Sequence, residues 1–477
     1  MERELQYRRK DIEGRVSNRQ QMLGDSFMNA HPQAGSGAGS GTGVQGSGQA
    51  GGSGAQGNAN SDAVVGAVAS RAAEVLRQSF ESHGVQQPPA GSLPQEIKPA
   101  AVTERIFPPS NEDRGCPVLA DPTASRVTAG VVVVAFNRPD YLQRTLNSIL
   151  AARKLKPEFA TDFPLYVSQD GSFPGVKEVV VRHTADFAYM NHIETKAPQP
   201  LTPKENLAYY RISNHYKFIL GVMFDCLQYK KAIILEDDMQ LSIDFFEYFK
   251  ATAPLLDEDK TLYAVSSWND HGQSQFVANS SQLYRSDFFP GLGWMLTKEL
   301  WEELKPKWPR AYWDDWMRQT QHRKGRQSIR PEVCRTFNFG EKGTSRGQFY
   351  KKYLATIHLN AEYVPFRQHR LDYLLQHKYE PEWDALLATA RAMSVEDAMK
   401  ASGDVKVIYN SQESYEAITG KLGMLREWKD GVPRGAYKGV VPVRFNKARI
   451  FIAPAEGFKP EERITGKVDA SGALVKQ

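Results

Sequence analysis

The run Val131-Val132-Val133-Val134-Ala135 constrains the fold more than any other feature. A continuous apolar, β-branched stretch has no polar face, so the strand it forms is buried on both sides. Such strands belong to sheets covered by helices on two faces, and the neighbouring sequence supplies the helices. Asp140 to Leu150 has a helical pattern. Pro164 to Ser168 reads as a second strand ending in Gln169-Asp170-Gly171. Ala232 to Leu235 reads as a third, ending in Glu236-Asp237-Asp238. Thr202-Pro203-Lys204-Glu205 has capping-box spacing with proline at the first helical position. It predicts the start of a long helix with an apolar stripe at Ile212, Tyr216, Ile219, Met223 and Leu227, and Asp244 to Lys250 resumes as helix. Alternating buried strands and helices predict an α/β fold around a mostly parallel sheet. Ligands in such sheets sit beyond the strand C-terminal ends, where Asn137-Arg138, Asp170 and residues 236–238 all fall.

The rest of the chain has a different character. Residues 1–125 are expected to be a stem and linker. Ala34 to Ser61 is Gly, Ser, Ala and Gln, a flexible linker by composition. Val65, Val68, Ala72, Val75, Leu76 and Phe80 recur at helical spacing, giving a marginal helix or a weak self-association stripe, and 84–125 is Pro-rich. The catalytic α/β domain is expected over 126–340, a connecting segment over 341–376, a small strand-rich C-terminal domain over 377–455, and a polar tail over 456–477. Val405 to Tyr409, Val440 to Phe445 and Ala448 to Ile452 carry the strand pattern of the small domain.

Charge and cysteine usage exclude some classes. The formal charge is only +5, with acids and bases mixed throughout, which gives no concentrated basic face for nucleic acid. Cys116, Cys226 and Cys334 fit no zinc spacing, and their odd number cannot all pair. Two of them can form a disulfide, but spacing does not say which. No window of about 18 apolar residues exists to span a membrane. The N-terminus, MERELQYRRKDIEGRV, lacks the apolar region of a signal peptide. The chain as written is expected to be soluble, or to have lost an N-terminal anchor.

Two acidic motifs suggest chemistry. Glu236-Asp237-Asp238 puts three carboxylates in a row at a strand end. They either gather a hard divalent cation that bridges a diphosphate, or open a helix. Trp313-Asp314-Asp315-Trp316 follows the aromatic segment 288–294. An aromatic wall desolvates a carboxylate toward the basicity of a general base; the alternative is a Trp-rich core with a capping Asp. His215 in the long helix reads as a satisfied buried histidine or a ligand contact. Arg138 can meet phosphate or pair with an acid. Gly343 to Gly347 is either a phosphate-holding loop or an ordinary turn. Asn279-Ser280-Ser281 is a sequon for N-glycosylation.

The ordered series of longer motifs is more specific. It comprises Leu235 to Asp238, Asp244 to Phe249, Trp268-Asn269-Asp270, Tyr284 to Trp294, Pro306 to Pro309, Trp313 to Arg318, Arg330-Pro331-Glu332, Gly347-Gln348-Phe349 and Gly431 to Arg434. From about Val131 to Pro454 the chain resembles the N-acetylglucosaminyltransferase I family, glycosyltransferase family 13. The resemblance implies a GT-A nucleotide-diphospho-sugar transferase fold, a manganese ion (Mn2+), UDP-N-acetylglucosamine (UDP-GlcNAc) as donor, and a high-mannose N-glycan on glycoproteins as acceptor. It implies inverting β1,2 transfer to the α1,3-arm mannose, and a Golgi location with an N-terminal membrane anchor. Residue by residue, Asp238 matches the metal ligand, Asp237 a donor-sugar contact and Asp314 the catalytic base. Arg138, Asp170, His215 and Ser345 match nucleotide and diphosphate contacts, and Trp313, Leu292 and Arg318 match residues lining the site. A relative with the same chemistry on O-linked mannose, and a lectin-like binder without turnover, are the competing readings. The chain departs from animal members where they pair cysteines, at Phe136 with Gly171 and at Ala264 with Ser328.

Overall fold

The computed structural model describes Ile106, Phe107, Cys116, Ala120, Asp121 and residues 123–459, apart from 195, 197, 201, 203, 204, 342 and 344–349. The stem stripe at 65–80 lies outside the described residues. In chain order the first ten strands are β1 (Gly130–Ala135), β2 (Leu165–Asp170), β3 (Phe187–His192), β4 (Lys231–Glu236), β5 (Met239–Leu241), β6 (Leu262–Ser266), β7 (Leu283–Ser286), β8 (Trp294–Thr297), β9 (Gln327–Pro331) and β10 (Thr336–Asn338). β5 and β10 pair as a separate ribbon. The other eight form one sheet in the order β3-β2-β1-β4-β8-β6-β9-β7. Only β8 and β7 run against the rest, so the mostly parallel expectation holds.

The valine run behaves as its composition demands. Val131 and Val133 share one core with Ile233, Leu235 and Val167. Val132 faces the other core with Tyr166, Ala232 and Ile234. Each valine taken wholly out of water contributes about 1.5–3 kcal/mol. The first core is closed by helices α1 (Pro139–Arg153), α2 (Glu158–Asp162) and α3 (Pro174–Val181), and by the later helix Phe245–Glu258. Proline at the start of α1 fixes its entry, and Leu142, Leu146 and Ile149 line its buried face.

The second core is closed by α4 (Leu207–Gly221), whose Tyr216, Ile219 and Leu220 are buried. This helix corrects the expected start. Asn206, not Thr202, is the N-cap, and its side chain accepts from Ala208 N at 3.0 Å. Glu205 still reaches back to Thr202 N at 3.3 Å, so half of the capping box survives as a turn before the helix. At its other end α4 runs into a π-helical turn, Val222–Cys226, which carries the stripe on to Leu227.

Helices α5 (Phe245–Glu258), α6 (Lys298–Leu304), α7 (Trp313–Arg318) and α8 (Thr320–Arg323) complete the larger part. Residues 357–375 pack over α5. Phe366, Leu371 and Leu374 join the first core, and Arg367 pairs with the Glu247 carboxylate of α5 at 2.8 Å.

The C-terminal part holds α9 (Gln376–Thr389), β11 (Arg391–Ala392), α10 (Val395–Ala398), β12 (Ser402–Tyr409), α11 (Gln412–Leu422), β13 (Trp428–Lys429), β14 (Val432–Pro433), β15 (Val441–Phe445) and β16 (Lys447–Pro454). A separate sheet in the order β11-β12-β16-β15 confirms the strand-rich reading. Val405, Val407, Val443, Ile450 and Ile452 form its core with Tyr415 and Ile418 of α11. Its opposite side joins the first core through Trp383, Tyr437 and Phe451. The polar tail packs on the small domain at its start, where Phe458 lies edge-on against Tyr409.

Cys116 and Cys226 form a disulfide, while Cys334 is buried and free. Ile106 bridges to Tyr189 of β3. The described residues of the Pro-rich stretch read as linker are therefore tied to the body, Asp121 too accepting from Tyr229 Oη at 2.6 Å. The two pairs of positions at which the resemblance implies bridging cysteines lie side by side in this chain. Ala264 and Ser328 face each other across β6 and β9, and a Cβ on Gly171 would meet the Phe136 ring at 3.7 Å.

Candidate active site

Parallel register brings the expected site residues to one edge. β1 lies beside β4, with Val134 opposite Glu236, so Arg138 and the acidic residues emerge together. Arg138 donates to Asp237, and its Nη1 lies 2.8 Å from Asp238 Oδ2. The Asp237 and Asp238 side chains are 3% and 8% exposed, so two buried carboxylates share one guanidinium. Burial pushes Asp237 up to about 6, against the pull of Arg138. Burial, then Asp238, also raises Glu236, which accepts from Tyr216 Oη at 2.8 Å.

No helix starts at the acidic triplet, which removes that alternative. Residues 237–238 form a turn into β5, and the β5–β10 ribbon places Asn338 against Asp238. Asn338 Nδ2 donates to Asp238 Oδ1 at 3.0 Å. A Cβ on Gly340 would fall 2.1 Å from Asp238 Oδ2, so glycine there lets the backbone cradle the carboxylate. Among the described residues no three His, Cys, Asp or Glu side chains gather as a metal site. The donor set fits a hard cation held by one carboxylate and completed by substrate phosphate and water, as magnesium-like ions are held.

Asp170 ends β2 beside His192 of β3, and its Oδ1 lies 2.8 Å from His192 Nδ1. His215 of α4 stacks on His192 at 5.4 Å and bonds Ser168 Oγ at 2.8 Å. Burial drives its imidazolium down to about 3, so His215 is a neutral hydrogen-bonding group. It is buried and satisfied, as the bland reading held, yet it sits directly behind the Asp170 strand end.

The Trp313–Arg318 helix separates its aromatic and acidic faces. Trp313 stacks on Tyr216 at 4.1 Å and on Trp294 at 5.6 Å. The expected aromatic enclosure of Asp314 is not seen. Its side chain is 44% exposed, and Oδ2 accepts from Arg318 Nη1 at 2.8 Å. The same nitrogen reaches Asp315 Oδ1 at 2.8 Å, and Lys429 reaches its other oxygen at 3.3 Å. The difference follows from helix geometry: one turn on, Arg318 lies beneath both acids, while the indoles point into the core.

Arg318 Nε is fixed by Phe289 O at 3.1 Å, within the segment that carries Leu292. Leu292 has left-handed backbone geometry, and its carbonyl accepts from Thr336 Oγ1 at 2.8 Å. Next to it, Gly293 has φ +88°, and a Cβ would lie 2.4 Å from Ser267 Oγ.

Ser345 lies outside the described residues. A Cβ on Gly343 would lie 3.6 Å from Arg138 Nη1.

Several contributors had no role from sequence. Tyr216, Asn338 and Lys429 hold the two acidic motifs, and Arg434 of the Gly431–Arg434 motif pairs with Asp270 at 2.7 Å. The β13–β14 hairpin that presents Lys429 turns at Asp430-Gly431, both at positive φ, a sequence signal that was available.

The strand ends of a parallel-rich sheet thus join the buried Asp237–Asp238 pair, beside a helix that carries two half-exposed carboxylates, Asp314 and Asp315. The chain belongs to the GNT-I family, whose model matches residues 110–462. The alpha-1,3-mannosyl-glycoprotein 2-beta-N-acetylglucosaminyltransferase of Arabidopsis thaliana is 48% identical over 325 residues, covering 67% of this chain and 72% of that protein. Among solved structures, S. aureus TarS is 14% identical over 55% of this chain and 78% of its own, with a TM-score of 0.31. A mannosyltransferase from Pyrobaculum calidifontis, in complex with GDP-Man and Mn2+, is 17% identical over 58% and 80%, with a TM-score of 0.29.

Proposed function

We propose that this chain transfers N-acetylglucosamine from UDP-GlcNAc, with inversion, to the 2-hydroxyl of the α1,3-arm mannose of the Man5GlcNAc2 N-glycan. That step opens hybrid and complex N-glycan synthesis. The observation carrying the reading is the 48% identity over 325 residues to the Arabidopsis enzyme, together with a family match over 110–462 that spans both acidic motifs.

Asp238 would hold Mn2+, which when bound supplies positive charge to the donor diphosphate and the departing UDP. Asp237 would contact the donor sugar, while Arg138 and Ser345 meet the diphosphate. Asp170 and neutral His215 receive the nucleotide at the end of β2. Trp313, Leu292 and Arg318 wall the site. With Oδ2 held by Arg318, Asp314 Oδ1 takes the proton from the mannose hydroxyl as that oxygen attacks the anomeric carbon opposite UDP. Tyr209 and Tyr312 stack at 4.7 Å next to this helix, and Tyr312 is exposed with left-handed backbone, a platform for the acceptor sugar. Residues 126–340, with Ser345 just beyond them, would carry donor and base, and 377–455 would brace them through Lys429 and Arg434.

We place the enzyme in the Golgi lumen. The Cys116–Cys226 disulfide supports an oxidising compartment, although no described helix is long and apolar enough to cross a membrane.

The test is incubation of the purified chain with UDP-GlcNAc and a five-mannose glycan, with and without manganese, read by mass spectrometry. One added N-acetylhexosamine, dependent on manganese, is expected. Gain only on an O-mannosyl peptide, or on neither acceptor, would overturn the assignment.

A further inference from the structure

We propose that Asn279 of this chain is itself an N-glycosylation site. Asn279-Ser280-Ser281 is the only Asn-X-Ser/Thr triplet in the sequence, and the transfer chemistry above does not use it. It lies on the loop between the short 3-10 turn Ser274–Phe276 and β7, where Asn279 is exposed.

The local hydrogen bonds leave the reactive atom available. Asn279 Oδ1 accepts from Ser281 N at 3.0 Å and from Ser281 Oγ at 2.8 Å. Among the described residues, Asn279 Nδ2 has no hydrogen-bond partner. The backbone below is held independently. Ala278 N and Asn279 N donate to Glu332 Oε1 at 2.9 and 2.8 Å, and Gln282 N donates to Asn279 O at 3.2 Å. Asn279 borders a cavity of about 360 Å³ that Glu362, Tyr363 and His369 also line, which leaves room for the first sugar. A glycan on Nδ2 therefore breaks no contact of the fold, and its loss leaves the turn supported.

A second observation concerns where the chain folds. Cys116 and Cys226, 110 positions apart, are joined as a disulfide, which persists in oxidising lumenal or extracellular compartments. Sequon glycosylation occurs along that same route. Neither observation draws on the proposed donor, acceptor or base.

In the step itself, Asn279 Nδ2 attacks the anomeric carbon of an oligosaccharide carried on a lipid pyrophosphate. The nitrogen–carbon bond forms as the carbon–oxygen bond to pyrophosphate breaks. The lipid pyrophosphate leaves with the bonding pair, and Nδ2 gives up one proton to a base of the transferring enzyme.

The test is expression of the full chain behind a cleavable secretion leader in a eukaryotic cell, followed by peptide mass spectrometry of protein recovered from the medium. The peptide containing Asn279 is expected to carry a glycan with a core of two N-acetylhexosamines and attached hexoses. Peptide-N-glycosidase should release it, leaving Asp at position 279 and producing one mobility step for the whole protein. Asn279→Gln and Ser281→Ala should each abolish the step, whereas Ser281→Thr should retain it. Secreted wild-type protein with an unmodified Asn279 peptide would overturn the proposal, as would a mobility step that persists in Asn279→Gln.

Discussion

The ring of Tyr216 stacks on that of Trp313 at 4.1 Å. Its hydroxyl meanwhile donates to Glu236 at 2.8 Å. One residue of α4 thus ties the acidic end of β4 to the helix that carries Asp314. Tyr216→Phe keeps the stack and removes the donor to a partly buried carboxylate, and should cost about 2 kcal/mol of stability. Trp313→Ala removes a buried indole and should cost about 3–5 kcal/mol. Urea denaturation of both variants checks this order, and equal losses would contradict the stack as the stronger tie.

Asp238→Asn should abolish the manganese-dependent part of UDP binding. Asn338→Ala, which leaves Asp238 in place but removes its 3.0 Å donor, should weaken that part by about tenfold. Calorimetric titration of UDP with and without manganese separates the two effects. Unchanged manganese dependence in Asp238→Asn would remove its assigned role.

Glu247 gives the fold an acid-sensitive joint. Burial opposes its charge, but Arg367, with help from Tyr363, outweighs this and holds the carboxyl down to about 2. A depressed folded value means stability that is present above the ordinary carboxylate range and lost as pH falls toward 2. Wild type should lose about 2 kcal/mol through this group on acidification. Glu247→Gln should already lack that increment at neutral pH and show a flatter acid limb, read as melting temperature against pH.

The Cys116–Cys226 bridge closes a long loop over the second core. Cys226→Ser, or reduction of the wild type, should lower stability by about 2–5 kcal/mol. Denaturation with and without reductant measures this, and Cys226→Ser should itself be insensitive to reductant.

The sheet's centre was legible because β1 and β4 are apolar on both faces, which few other structures tolerate. β7 and β9 were not, because they carry polar residues inside. Arg285 is fully buried, yet its two terminal nitrogens donate to Asp259 and Gln327 at 2.7 Å, and that pairing is invisible until the fold brings the partners together. The same limit hid the disulfide, whose partners are far apart in sequence. The start of α4 was misplaced because Asn206 competes with Thr202 for the cap and lies nearer the first buried turn. The acidic triplet and Arg138 were placed at strand ends from sequence, and the register of β1 and β4 brings them together, whereas His215 entered the candidate site only through the family resemblance. The surroundings of Asp314 were misjudged because tryptophans flank it in sequence while the helix turns them inward. Its four-residue spacing to Arg318 was the readable clue.

The most direct measurement is the kinetics of Asp314→Asn on UDP-GlcNAc and a five-mannose glycan. If Asp314 is the base, kcat should fall by about two to four powers of ten while UDP affinity stays near that of the wild type. Turnover at the wild-type rate in that variant would contradict the assignment of Asp314 as the base.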